Sequence, residues 1–240
     1  MLKAAIEKIL GLAPPTQVDI DGRQYFNQGL TPVKPPVQND LAISTLTSIA
    51  DYFRDNPDSI DLKKAVVHIK SHTCVEVVSA VVGEWIQRHS YLTAEVAPKA
   101  FPYGRYLPIE DFMIAVQTHL VQDDTTAALL QVVGNITDGA SVKLLDDGVT
   151  QQVEAKSGIT RIENVKLPNP VQLAPYRTFL EITQPASAFV FRMKKSQGAE
   201  GPTAALYEAD GGIWQLEAIK RIRDWLRTNE AIPAETIILA

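Results

Sequence analysis

A single cysteine, Cys74, excludes an intramolecular disulfide framework and suits a reducing compartment. Long apolar runs are missing too. The opening MLKAAIEKILGLAPP carries interspersed charge, and its apolar stretches are too short for a signal peptide or a membrane span. Excess positive charge is absent: the formal charge is −5 and the pI about 5.4, which argues against broad attraction to phosphate backbones while leaving room for a local basic patch. No G-x-S-x-G elbow, H-E-x-x-H helix or glycine-rich phosphate loop occurs, so the common hydrolase, protease, kinase and dehydrogenase signatures are missing. No repeat of solenoid or propeller length is visible.

What is present is enough for a core. Hydrophobic residues make up 45% and charged residues 21% of 240, a globular composition. Leu2, Ile6, Ile9, Leu10 and Leu12 recur at helical spacing before Gly11 to Pro15 stop the helix, giving a short amphipathic arm. TQVDIDGRQYF alternates around Asp21-Gly22, which predicts a small hairpin, and Pro32, Pro35 and Pro36 make residues 27–38 an extended connector. The expected organisation is an appendage over 1–38 and a single domain over 39–240.

Within that domain, apolar spacing predicts a helix over residues 39–56, with Asn39 or Asp40 as cap and Asn56-Pro57 as stop. AVVHIKSHTCVEVVSAVV and EWIQRHSYLTAEVA read as three neighbouring antiparallel strands turning near Ser71 and His72. Pro108 opens a helix carrying Phe112, Met113, Val116 and Leu120, and Asp123, Asp124 and Thr125 cap a second helix running through Ile136. Residues 140–195 predict a meander of about five strands, with turns at Asp147-Gly148 and Ser157-Gly158. A SQGAEGP loop, a strand over 204–208, an Asp210-Gly211-Gly212 turn, a helix from Trp214 and a closing strand in ETIILA complete the chain. Strands and helices fall in blocks, which predicts α+β: a mostly antiparallel sheet, a few packing helices and the N-terminal helical arm.

Four groups are candidate sites. His68, His72 and Cys74 lie within seven residues and carry zinc-ligand chemistry, but no further His or Cys cluster completes the set; the alternative is two surface histidines and an inert thiol. Cys74 lacks the flanking sequence of known cysteine nucleophiles. Asp146, Asp147, Glu181 and Asp210 would bind Mg²⁺ or act as acid and base only if brought together, and hairpin chemistry already accounts for Asp147 and Asp210. Arg161, Arg177 and Arg192, with Tyr176 and Phe179 nearby, combine guanidinium with aromatics, a way of holding phosphates or bases; the alternative is surface arginines or pairs with Glu163 and Glu181. Pro168, Pro170, Pro175 and Pro185 bracket short apolar segments and mark sheet edges or bends, so Pro170, Pro175 and Pro185, with Leu2, Ile6 and Ile9 of the arm, are the expected subunit contacts.

The helix pair, DDGVTQQVEAKSGI, LPNPVQLAPYRTFLEITQPASAFVFR and ALYEADGGIWQLEA together resemble, in layout over residues 40–240, uncharacterised phage and prophage proteins of the YfdQ-like kind. The resemblance implies a phage accessory product in the cytoplasm of an infected or lysogenic bacterial cell, and carries over no catalytic residues. The expectation is therefore a non-enzymatic homo-oligomer serving replication, assembly or counter-defence, with no cofactor and no membrane partner. A nucleotide or single-stranded nucleic-acid binding module is the first alternative, a host protein being a further possible partner. A metal-dependent hydrolase using Asp146, Asp147 or His68 is the second.

Overall fold

The computed structural model describes residues 2–12, 16–26, 39–81, 87–137, 143–146, 151–154, 167–194 and 201–240. The chain divides into two compact units, 1–38 and 39–240.

The first unit contains helix α1 (Leu2–Leu12) and the hairpin of β1 (Gln17–Ile20) and β2 (Arg23–Phe26). Asp21 and Gly22 take φ of 55° and 78°, the left-handed pair that a two-residue hairpin turn requires. The Asp19 carboxylate accepts the Gly22 N–H at 3.0 Å. No described side chain of this unit is buried. The predicted connector lies outside the described residues.

The second unit is α+β. It runs β3 (Leu41–Ile43), α2 (Leu46–Asp55), a 3-10 turn, β4 (Val66–Ser71), β5 (Cys74–Val78), β6 (Ser90–Glu95), β7 (Leu107–Pro108), α3 (Ile109–His119) and α4 (Asp124–Thr137). There follow β8 (Lys143–Asp146), β9 (Gln151–Glu154), β10 (Val171–Leu173), β11 (Ser187–Lys194), β12 (Thr203–Glu208), α5 (Trp214–Thr228) and β13 (Ile237–Leu239).

Two layered cores result. A five-stranded sheet has the order β13-β4-β5-β6-β3; the central pairs are antiparallel and both edge strands join in parallel. Leu46, Ile49 and Phe53 of α2 and Ile222 and Leu226 of α5 pack with Val67, Ile69, Val75, Val77 and Leu92 of the sheet. A four-stranded antiparallel sheet has the order β10-β11-β12-β7. Phe112 and Val116 of α3 and Leu129 and Val133 of α4 pack with its Phe189, Phe191 and Leu206. Phe112 is fully buried there, and emptying such a site to alanine typically costs about 3–5 kcal/mol. Among the described residues no helix is long and apolar enough to cross a membrane.

Three expectations change. The helix predicted over 39–56 starts at Leu46, because Thr45 caps it by accepting the Ser48 N–H at 3.2 Å and Leu41–Ile43 is claimed as a strand by residues 92–94. That partner is fifty residues away and invisible to local spacing. The five-strand meander is also reduced. Residues 174–186 form no strand, since one buried carboxamide replaces the ladder: Gln184 Oε1 accepts the N–H groups of Arg177 (3.0 Å) and Thr178 (3.3 Å), and Gln184 Nε2 donates to the Phe179 carbonyl at 3.0 Å. Two buried prolines lose their role as subunit contacts: Pro175 forms a bridge with Leu120, and the Pro185 carbonyl faces Arg177 inside the fold. Pro170, after a cis peptide bond, stays exposed at edge strand β10. The turns expected at Asp147-Gly148 and Ser157-Gly158 lie outside the described residues.

Candidate functional site

Strand β11 alternates with period two: Ser187, Phe189, Phe191 and Met193 are buried, while Ala188, Val190, Arg192 and Lys194 face the other way. The candidate residues therefore sort onto two faces of one sheet, and the two faces do different things.

On the buried face, Arg177 reaches in from the irregular segment. Its Nη1 donates to Glu208 Oε1 at 2.7 Å, and its Nη2 donates to the Ser187 hydroxyl and, at 3.5 Å, towards the Pro185 carbonyl. The guanidinium lies 3.7 Å above the Trp214 ring and 5.8 Å from that of Phe189. His72 meets Trp214 edge-on with centroids 4.7 Å apart, and the Thr178 hydroxyl donates to the His72 carbonyl. Burial, then the nearby Arg177 charge, holds the His72 imidazole below its usual range. Tyr103 stacks on Phe189 at 5.4 Å, and burial pushes its phenol well above the ordinary value. Phe189 of this cage belongs to the core of the four-stranded sheet, while Phe179, two residues after Arg177, belongs to that of the five-stranded sheet. The cage's cation is paired with the Glu208 carboxylate, although Nε, like Arg192 Nη1, is sealed from solvent without a hydrogen-bond partner.

The opposite face is different. Cross-strand register places Arg192 opposite Ala205, Lys194 opposite Thr203 and Val190 opposite Tyr207. Tyr106 precedes β7 and meets Tyr207 with centroids 6.3 Å apart at 67°. Lys194 Nζ sits 4.0 Å over the Tyr106 ring. Burial, then the neighbouring Tyr207, raises the Tyr106 phenol, and the Arg192 charge acts in the opposite direction. None of these side chains belongs to either core cluster. Ala205 is small and fully buried beneath them. Arg192 Nη1 is sealed from solvent without a partner, and among the described residues no carboxylate pairs with Arg192 or Lys194. Arg105, next to Tyr106, is exposed. An acidic chain thus carries a basic, tyrosine-lined face, chemistry suited to phosphate and to the flat face of a base. Lys194 covers part of that surface. An exposed cation such as Lys194 is held over a ring by about 0.5–1 kcal/mol, against about 1–3 kcal/mol for a stacked base, so the ammonium can be displaced.

Of the three predicted arginines, the two that are described do not come together. Arg177 and Arg192 occupy opposite faces, Arg161 lies outside the described residues, and exposed Tyr176 is no part of the Arg177 cage, whose rings are Trp214, Phe189 and Tyr103. Tyr106 and Tyr207 were missed because each is some distance from Arg192 in sequence; the period-two alternation of SAFVFRMK was the available signal. The metal reading also comes apart. His68 is exposed on β4, His72 turns towards Trp214, and Cys74 sits half-buried on β5, its thiol raised by burial; no cluster of three metal-ligating side chains exists among the described residues. Glu181 instead accepts the Thr47 N–H at 3.2 Å in the first turn of α2. Asp210 accepts the Gly212 N–H at 3.0 Å in its turn, the side chain of Asp146 on β8 is not among those described, and Asp147 lies outside the described residues.

No family model matches this chain, and comparison with the curated proteins and with the solved structures found no match either.

Proposed function

We propose that this chain is a non-enzymatic binding module that holds a phosphate-bearing ligand on the outer face of its four-stranded sheet, with Arg192 as the anchoring cation. The observation that carries the reading is the Arg192 guanidinium, half-buried opposite Ala205 with Nη1 sealed and unpartnered and, unlike Arg177 with its Glu208, with no carboxylate pairing it among the described residues. Leaving a charged donor buried and unmatched is costly, and a phosphate oxygen placed there recovers that cost through a charge-assisted hydrogen bond. Arg192→Glu is expected to weaken binding of tripolyphosphate, measured by calorimetry, by more than tenfold while the far-ultraviolet circular dichroism is unchanged. Equal affinity in the variant overturns the reading.

A second reading, self-association of a phage accessory protein, is favoured by the first unit. Leu2 is 78% and Ile6 48% exposed on a helix of 11 residues, shorter than isolated helices need to persist in water. A second copy burying that stripe would supply the missing stabilisation. Sedimentation that shows only monomer at micromolar concentration counts against it.

A further inference from the structure

Resting on the reading of the Arg192 face as a phosphate site, we infer that its ligand is a mononucleotide whose base stacks on the face of Tyr106 now covered by Lys194, and that Lys194 moves to the phosphate beside Arg192. Three features of the face lead there.

The first is the placement of Lys194. It is exposed, has no carboxylate partner among the described residues, and lies 4.0 Å over the Tyr106 ring. Base and ammonium compete for the same π face, and the ammonium released has an anion to go to. The second is the support behind the ring. Tyr207 meets Tyr106 edge to face at 6.3 Å, and Gly104, with φ of 70°, brings its backbone against the Tyr207 ring, where a Cβ would come within 3.7 Å. Tyr106 is thereby backed by Tyr207, which is itself backed by Gly104. A fixed ring loses little freedom when it stacks.

The third is the count of groups. Among the described residues the face offers the Tyr106 ring with Tyr207 edge-on behind it, the anchored Arg192, the movable Lys194 and exposed Arg105 beside Tyr106, and it continues along β11 through Val190 and Ala188 rather than through more aromatics. Sites for single strands interleave several rings with several cations along a track. One base and its phosphates match what is here.

The experiment is equilibrium binding by calorimetry with the full chain, using tripolyphosphate, adenosine and cytidine triphosphates, and a decathymidylate strand. The expected result is nucleotide binding at least tenfold tighter than tripolyphosphate. Tyr106→Leu should erase that margin without changing tripolyphosphate affinity, and Tyr106→Phe, which keeps the ring, should retain it. Lys194→Met should weaken nucleotide and tripolyphosphate alike and flatten the salt dependence. Thermal unfolding of each variant identifies any that fail to fold, and Tyr106→Phe then carries the comparison. Tripolyphosphate binding as tightly as nucleotide overturns the base inference and leaves the phosphate site standing. Binding of neither overturns both. A decathymidylate affinity more than tenfold above that of nucleotide replaces the mononucleotide with a strand.

Discussion

Arg177 and Glu208 are unequal partners: the arginine side chain is 8% exposed and the carboxylate 40%. Removing Arg177 takes a planar group from between Trp214 and Glu208 and leaves Ser187 without its donor. Arg177→Ala is therefore expected to cost about 3–5 kcal/mol in urea unfolding. Glu208→Gln should cost about 1–2 kcal/mol, because the buried guanidinium loses its counter-charge but the amide oxygen still accepts from Nη1. His72 adds a dependence on pH. Its pKa in the fold lies below the usual 6.5, so as the pH falls through that value the unfolded chain takes up the proton first and stability drops, until the folded imidazole is protonated too. In His72→Gln this loss disappears, and the variant should lose less stability than the parent between about pH 7 and pH 5, as read by urea midpoints. At this scale the sequence was a partial guide. It singled out Arg177, Arg192 and His72 by chemistry, but Glu208 beside Arg177 and Trp214 beside His72 lie far along the chain, and nothing local distinguishes the guanidinium paired with a carboxylate from the one that is not.

Elements were legible where their signals are local. The Asp21-Gly22 turn, the stop at Asn56 with its φ of 40°, and the Asp123 side chain accepting the Thr126 N–H at 2.8 Å each depend on a few adjacent residues. The start of α2 was not legible, because helical spacing from Leu41 onward is equally compatible with an edge strand followed by a capped helix. Thr45→Ala tests the cap directly. It should destabilise the protein by about 1 kcal/mol in chemical denaturation, whereas Asn39→Ala and Asp40→Ala, at the caps expected from spacing, should leave α2 unaffected. The segment 174–186 reads as strand from its β-branched and aromatic content. It is instead a buried irregular crossing, possible only because Gln184 satisfies its backbone.

For the whole molecule, both cores lie within residues 39–240. A chain lacking residues 1–38 is therefore expected to unfold at the same urea midpoint as the parent, within error, and to sediment as monomer if the arm drives association. Loss of cooperative unfolding would contradict the first expectation. Sequence alone determined the class: composition, periodicity and turn chemistry are short-range, and they specify α+β content, the helical arm and the antiparallel centre of the five-stranded sheet. Tertiary structure decided the rest. Which edge strands join in parallel, which arginine meets a carboxylate, and which tyrosines flank Arg192 depend on contacts between residues tens of positions apart. Such contacts are selected by the joint burial of two cores, and no single segment carries that information.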